Sequence, residues 1–248
     1  IVKFSPIQPI SFLERRSLAG DSNYAGQSAL VRFTRGAAFL QQQTVAQHLY
    51  LREGDRRRAG GSRSSALAAA LEALEESARY DQQPRAFNTN KNRSFNLDES
   101  DLVALSAVRR GKVPLVVQVD RAADIIKVVT AFGSYPALRL VLASATEAWK
   151  VAPLLKASNI PVLINVMENL PQNFDRLGAR LDQATLLAEA GVRFAFFSGS
   201  PYSETRSLSQ AAGIAVAQGL SWQQAITAIT AAPAEIWGLK GLGRIEVG

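Results

Sequence analysis

The chain has 248 residues, of which 47% are hydrophobic and 20% are charged, and it contains no cysteine. This composition excludes a wholly disordered chain, and the lack of cysteine excludes disulfides, thiolate metal ligands and cysteine nucleophiles. The length is enough for one large core or two small ones. No apolar run approaches the roughly 20 residues of a membrane helix. We therefore expect a soluble protein with no membrane partner, and its compartment, cytoplasm or periplasm, stays open.

The net charge of +7 is concentrated in one stretch of the chain. Five arginines occur within twelve positions, interspersed with glycines: Arg52, Arg56, Arg57, Arg58 and Arg63. A nucleic-acid site would combine such charges with stacking aromatic side chains, and only Tyr50 lies nearby. The pattern favours a solvated, mobile loop, and nucleic acid is not an expected partner. A basic binding module for nucleic acid or an acidic surface remains the alternative.

The first 96 residues show an irregular pattern. Ser28–Phe33 is typical of a short strand, and Ala37–Leu51, rich in glutamine, is interpreted as a strand followed by a helix. Ser65–Gln83 is the clearest helix, because alanine, leucine and glutamate dominate it and leucines recur at helical spacing. Asp98 is the predicted N-cap of the next helix.

From residue 97 onward, apolar strands alternate with helices. The predicted strands are Val113–Val119, Leu138–Leu142, Ile160–Val166 and Val192–Phe197, and the predicted helices are Ala122–Phe132, Thr146–Ser158, Leu181–Ala190, Ser203–Gln218 and Trp222–Ala231. This alternation predicts parallel βαβ units in an α/β fold, and a closed barrel is favoured over an open sheet. We predict one domain over residues 1–248, with an irregular part at 1–96 and regular βα units at 97–248.

Polar residues follow the predicted strands, where parallel α/β proteins place their chemistry. The candidate site residues at these strand ends are Gln118, Asp120, Glu147, Asn165 and Glu168. Ser144, Asn169, Ser198, Ser200 and Tyr202 lie at the same ends of the predicted strands.

Each of these residues also has a structural interpretation. Asp120 is placed to begin a helix, where the helix dipole favours an acid. Ser144 and Glu147 have the spacing of a capping box. Asn165 and Asn169 have side chains that satisfy loop backbone groups. The structural interpretation of Glu147 is favoured over the functional one.

The single histidine, His48, lies far along the chain from these strand ends. One histidine cannot make a histidine-rich zinc site, and no triad partner accompanies it. We expect His48 to be exposed or partly buried, without a catalytic part. The sequence also has no Gly-x-Gly-x-x-Gly after a strand and no Walker-type phosphate loop.

The C-terminal third has a recognisable pattern. A glycine- and alanine-rich helix over Ala212–Ala225 leads into Ala228–Leu239, with a threonine and a Pro-Ala step, and then into the turn Gly243–Gly248. This stretch resembles the amidohydrolase superfamily, in its imidazolonepropionase-like branch. Val113–Ile125 and Ile160–Leu163 are similar to that branch as well. The resemblance covers roughly Val113 to Gly248.

The resemblance implies a metal-dependent (βα)8 barrel, of the TIM type, that hydrolyses amide or cyclic amide C–N bonds. Active relatives hold zinc or another divalent metal through a His-x-His pair on the first strand, histidines ending the fifth and sixth strands, and an aspartate ending the eighth. Here the matching positions are Gln118, Ala143 or Ser144, and Gly199, and no His-x-His occurs. We predict no cofactor. By the same comparison, the first barrel strand and the small β domain are expected to be missing from this chain.

Three hypotheses follow for function. The first is an amidohydrolase-like barrel that has lost its metal site and binds a small molecule at the strand ends, or assembles with itself or with an active homologue. The second is a working hydrolase with an atypical site built from the five candidate residues. The third is the basic binding module.

Overall fold

The computed structural model describes residues 2–3, 23–34, 37–53, 61–83, 95–168, 170–198 and 207–245. The chain divides into two compact units. The first unit comprises residues 1–117 and 128–139, and the second comprises 118–127 and 140–248.

The strands of the first unit form an antiparallel arrangement. They are β1 (Val2–Lys3), β2 (Tyr24–Thr34) and β3 (Ala37–Tyr50), with β1 paired to β2 and β2 paired to β3. The predicted strand and helix over Ala37–Leu51 is therefore wrong in its second half, because a single long strand runs to Tyr50. The backbone of this glutamine-rich segment pairs with β2, which supplies its hydrogen bonds. An extended strand therefore forms where the sequence pattern showed no clear periodicity.

Two helices and a strand complete the first unit. They are α1 (Arg63–Gln82), α2 (Glu99–Arg109) and β4 (Leu115–Val119), whose last two residues belong to the second unit. Ser62 caps α1 in a reciprocal capping box with Ser65. Asp98 stands at the N-cap of α2 as predicted, although its side chain makes no capping hydrogen bond.

A half-buried carboxylate joins the two helices of the first unit. Asp81 at the end of α1 accepts from the Ser106 hydroxyl at 2.8 and 2.9 Å, and it pairs with Arg109 and with Arg110 of the α2 terminus. These charge-assisted contacts hold α1 and α2 together in addition to the packing between the two helices.

The second unit carries the βα alternation. In chain order its elements are α3 (Ala122–Phe132, whose last turn belongs to the first unit), β5 (Leu140–Ser144), α4 (Ala152–Ala157), β6 (Val162–Ile164), α5 (Gln183–Glu189), β7 (Phe194–Phe196), α6 (Leu208–Ala217), α7 (Trp222–Ile229) and α8 (Ala231–Trp237). Short 3-10 turns occupy Ala148–Val151, Val166–Glu168 and Phe174–Arg176.

The strands of the second unit pair in parallel. Leu142 of β5 is opposite Val162 of β6, and Ile164 of β6 is opposite Phe196 of β7. All three residues of β6 are buried, as expected where neighbouring elements cover both faces of a strand. The predicted parallel βαβ units are confirmed, and the carboxyl ends of β5, β6 and β7 lie along one edge.

Among the predicted helices of the second unit, two differ from the observed ones in more than their terminal residues. The predicted helix Thr146–Ser158 is a 3-10 turn followed by the short helix α4, with Pro153 in its first turn, where no backbone donor is needed. The predicted helix ending at Ala231 stops at Ile229, and α8 follows it as a separate helix. Residues 203–206 of another predicted helix lie outside the described residues.

Within the described ranges, none of the helices has both the length and the apolar character needed to cross a membrane.

Candidate functional site

The carboxyl ends of three strands place candidate residues side by side in the second unit. The Ala145 N–H donates to the Val119 carbonyl at 2.9 Å, which sets the end of β5 beside the end of β4. The parallel register of β5 with β6 then sets Asn165 at the same level as Ala145. Asp120 and Asn165 therefore stand at one edge, with the end of β5 between them.

Asp120 lies in the interior at this edge. It is only 3% exposed, and one carboxylate oxygen accepts from the Thr146 hydroxyl at 2.7 Å. Its other oxygen lies 3.8 Å from Nε of Arg176. Asp120 thus holds the segment after β5 through Thr146 and lies beside the guanidinium of Arg176. This role differs from the one that the sequence suggested, in which Asp120 begins the following helix.

Arg176 links two of the predicted candidates. Its guanidinium contacts Asp120 through Nε and Glu168 through Nη1, with 2.5 Å between Nη1 and the Glu168 Oε2. The residue is 8% exposed. Because Asp120 follows β4 and Glu168 follows β6, the guanidinium bridges these two strand ends across β5. The sequence analysis missed Arg176, which lies in a segment without periodicity.

Glu147 has a structural task nearby. It accepts from the Ala122 N–H at 2.9 Å at the start of α3, and from Lys150 at 2.7 Å. Burial raises the pKa of Glu147, but the hydrogen bonds from Lys150 and Ala122 and the charges of Lys150 and Arg121 outweigh burial and hold it below its ordinary value.

The predicted capping box of Ser144 and Glu147 is wrong, since Glu147 caps the start of α3 and not its own segment. Ser144 has a left-handed backbone with φ of 64°, and the same holds for Ala145 with φ of 44°. The conformation is held by the bond of Ala145 N to Val119 and by Gln183, whose Nε2 donates to the Ala145 carbonyl at 2.7 Å. Left-handed residues other than glycine are uncommon and concentrate at functional sites.

The loop after β6 is fastened to the segment that carries Glu147. The Trp149 indole donates to the Gly178 carbonyl at 3.0 Å, and the guanidinium of Arg180 lies 5.0 Å from the centroid of the indole ring. A Cβ on Gly178 would lie 2.4 Å from Oε1 of Glu147 and 2.7 Å from its Cγ. Glycine is therefore required here for close approach, because Glu147 fills the space of a side chain.

We expect Gly178→Ala to destabilise the protein by about 1–2 kcal/mol, because Glu147 must give up its cap on α3 to make room for the new methyl group. In the background of Glu147→Ala the same change should cost almost nothing, since the obstructing side chain is gone. Urea unfolding of the two single variants and the double variant measures this coupling. Additive losses in the double variant would contradict the contact.

The two asparagines of the prediction have different outcomes. Asn165 is 6% exposed, and its Oδ1 accepts from the Met167 N–H at 3.1 Å, which confirms that it satisfies a loop backbone group. Its amide nitrogen is buried and has no hydrogen-bond partner in the part of the chain that the structure describes. Asn169, Ser200 and Tyr202 lie outside the described residues. Gln118, two residues before Asp120 on β4, is half-buried.

The residues present do not fit the divalent metal that the resemblance implies. Gln118, Ala143 and Ser144 offer an amide, a methyl group and a hydroxyl where imidazoles are expected, and Gly199 lies outside the described residues. Within the described part of the chain, no three His, Asp or Glu side chains group closely enough to hold a metal ion. The carboxylates of Asp120 and Glu168 already share a guanidinium, whose charge opposes a second cation.

The other residues that the sequence analysis singled out lie in the first unit. His48 on β3 is half-buried, and its Nε2 is hydrogen-bonded to the Ser28 hydroxyl. Burial lowers the pKa of His48 to about 4, so the ring is neutral at physiological pH. Of the arginine cluster, Arg52 lies over the Tyr50 ring and Arg63 pairs with Glu53, while Arg56, Arg57 and Arg58 lie outside the described residues.

Comparison with solved structures identifies the fold. An amidohydrolase from Thermotoga maritima MSB8 matches with a TM-score of 0.80 at 18% sequence identity. The chain has an amidohydrolase fold. The match covers 96% of this chain and 67% of the Thermotoga chain, so it includes nearly all of the present sequence. The predicted α/β fold of the amidohydrolase type is thereby confirmed.

Two further matches cover less of the chain. A prolidase complexed with N-methylphosphonate-L-proline gives a TM-score of 0.45 at 17% identity, over 61% of this chain and 40% of that chain. An uncharacterized metal-dependent hydrolase from Pyrococcus furiosus gives 0.44 at 12% identity, over 60% and 33%. No family model and no curated protein matches the sequence. The fold itself leaves the reaction open, since one fold carries many chemistries.

Proposed function

We propose that this chain is an amidohydrolase-fold protein that binds a small molecule at the strand ends of the second unit without hydrolysing it. The observation that carries the proposal is the Arg176 guanidinium, which pairs with both Asp120 and Glu168. These two carboxylates are the acids at this edge that would otherwise hold a cation or accept a proton.

A hydrolase of this kind needs a nucleophilic water and a group that activates it. A general base must be within reach of the water and must have a pKa near the working pH. Asp120 directs one oxygen to Thr146 and the other towards Arg176, and Glu168 is ion-paired with the same arginine. Glu147 is held at the start of α3, with its pKa below the ordinary value. All three acids are thus engaged in hydrogen bonds or ion pairs with neighbouring groups of the protein.

The alternative route to a nucleophile is a metal ion that lowers the pKa of a bound water. That route requires imidazole or carboxylate ligands in an open set, and the positions that match the resemblance carry Gln118, Ala143 and Ser144 instead. The polar groups that remain, an amide, a hydroxyl and a buried ion pair, are the groups with which proteins orient a ligand.

The test is a hydrolysis assay on the purified full chain with small amides, N-acyl amino acids and cyclic amides, with and without added zinc. We expect no product above the rate of the buffer with the same zinc concentration, as followed by proton NMR. Protein-dependent turnover that disappears in Asp120→Asn would contradict the proposal and would favour a hydrolase with Asp120 as base. Turnover that a chelator abolishes would also contradict the proposal, because it would show that other groups of the chain hold a catalytic metal.

A further inference from the structure

We propose that this chain forms a weak two-fold dimer through the exposed side of the loop that follows β6. The surface, which we name the apolar loop surface, consists of five exposed side chains of the second unit: Met167, Leu170, Phe174, Leu177 and Leu181. The inference goes beyond the proposed function and does not depend on it, because it concerns the solvent-facing side of the loop and a second copy of the chain.

One turn of this loop is inverted with respect to the usual distribution of side chains. Phe174 is 83% exposed and Leu177 is 66% exposed. Asp175 and Arg176, which lie between them, are only 6% and 8% exposed. Charged side chains are rarely buried, and large apolar ones are ordinarily inside. The 3-10 geometry that begins at Phe174 brings positions three apart to one face, so Phe174 and Leu177 project together. Neighbouring apolar side chains that the fold directs into solvent are typical of an interaction surface.

Polar contacts on the inner side of the loop hold the inverted turn in place. Arg176 is anchored by its two buried ion pairs. The Asn173 side chain accepts from the Asp175 N–H at 3.0 Å, and the Trp149 indole donates to the Gly178 carbonyl at 3.0 Å. The two apolar side chains of the turn cannot move inward while these contacts persist. A surface that is already formed loses little conformational entropy when a partner binds to it.

The charges beside the surface favour a second copy as its partner. Arg180 and Asp182 are exposed at this end of the loop and form a pair of opposite charges at 2.7 Å. A partner of one strong charge, such as a nucleic acid or an anionic membrane, gains nothing from a neutral pair. In a two-fold dimer the same residues of both copies meet in reverse order, so Arg180 of each copy faces Asp182 of the other. The surface is therefore self-complementary in charge as well as apolar.

The exposed area is that of a small, reversible interface. A fully buried leucine or phenylalanine side chain removes on the order of 100 Å² of apolar surface from water. At their exposed fractions the five side chains present roughly 300 Å² per copy, so two copies would cover roughly 600 Å² of apolar surface. Homodimer interfaces are about 65% apolar, which gives a total of roughly 900 Å². Stable complexes bury about 1,200–2,000 Å², so we expect a weak dimer.

The experiment is sedimentation velocity of the full chain from low-micromolar to near-millimolar concentration, at about 0.15 M salt to screen the net charge of +7. We expect a reversible monomer–dimer equilibrium with a Kd on the order of 10–100 µM. Phe174→Glu should raise this Kd more than about tenfold, because each dimer would bury two new charges. Leu177→Glu should have the same effect. Both side chains contact mainly solvent, so both variants should keep the circular dichroism spectrum of the wild type.

Val103→Glu is the matched control, since it places the same charge at an exposed apolar position of α2, in the first unit. Its Kd should equal that of the wild type. A wild-type chain that stays monomeric throughout, a dimer that persists in both loop variants, or equal dissociation by Val103→Glu would overturn the proposal. Assemblies larger than a dimer would overturn the two-fold arrangement. A monomer that floats with phosphatidylcholine vesicles, and loses this property in Phe174→Glu, would assign the surface to lipid instead.

Discussion

Replacing Arg176 with alanine is expected to lower the free energy of unfolding by about 3–5 kcal/mol, the usual cost of removing one partner from a buried ion pair. The change leaves Asp120, which is 3% exposed, and the neighbouring Glu168 without the guanidinium that they share. Both carboxylates then lose the positive charge that Arg176 supplies, while the hydroxyl of Thr146 still donates to Asp120. Urea unfolding followed by circular dichroism measures the loss.

Arg180→Ala is the matched control, since Arg180 lies in the same loop and pairs with Asp182 at 2.7 Å. The side chains of this second pair are 45% and 35% exposed, and exposed ion pairs contribute little to stability because solvent screens them. Arg176→Lys should fall between the two alanine variants, because a single ammonium group does not span both carboxylates as the planar guanidinium does. Equal losses in Arg176→Ala and Arg180→Ala would show that the bridge across β5 is not a buried ion pair in solution.

The alternation of strands and helices after residue 97 was predictable because each element carries its own local signal. Val162, Leu163 and Ile164 are apolar and buried on both faces, so β6 is recognisable from composition alone. The ends of the elements were less accurate, since flanking apolar residues such as Ile160 pack into the core without joining the ladder.

The long hairpin of the first unit could not be predicted from local pattern. Gln47 on β3 is fully buried, and its Nε2 donates to the Gly26 carbonyl at 2.9 Å, while its Oε1 has no hydrogen-bond partner among the described residues. A buried glutamine is uncommon, and here the partner strand β2 supplies the acceptor for its NH2 group. The sequence shows the glutamines but not the distant backbone group that one of them binds.

The position of the candidate residues at neighbouring strand ends could be predicted from the sequence, but the contacts that join them could not. Asp120, Asn165 and Glu168 were identifiable because residues that follow parallel strands meet at one edge. Arg176 and the cap that Glu147 places on α3 were missed, because both contacts join segments that are remote in sequence. Neither has a periodicity or a motif that marks its partner, so only the folded structure assigns them.

The acid stability of the first unit should depend on two groups with opposite effects. Burial lowers the pKa of His48 from 6.5 to about 4, so between these values the unfolded chain binds a proton that the fold does not. The free energy of unfolding therefore decreases as the pH falls through this window, by about 3 kcal/mol in total at roughly 1.4 kcal/mol per pH unit.

Asp101 on α2 acts in the other direction. Burial, and secondarily the charge of Asp98, raise its pKa from 3.8 to about 6, so the fold binds a proton that the unfolded chain does not. Between these values the free energy of unfolding increases as the pH falls, again by about 3 kcal/mol in total. From about pH 6 to pH 4 the contributions of His48 and Asp101 oppose each other and nearly cancel.

Single substitutions should separate the two contributions. In His48→Gln, where Asp101 alone remains, the free energy of unfolding should rise as the pH is lowered from 6 to 4, relative to the wild type. In Asp101→Asn, where His48 alone remains, it should fall over the same range, and the double variant should parallel the wild type. Urea unfolding at several pH values between 4 and 6.5 measures the slopes. Single variants that both run parallel to the wild type would show that neither group has the shifted pKa, because other carboxylates contribute equally to all four proteins and drop out of the differences.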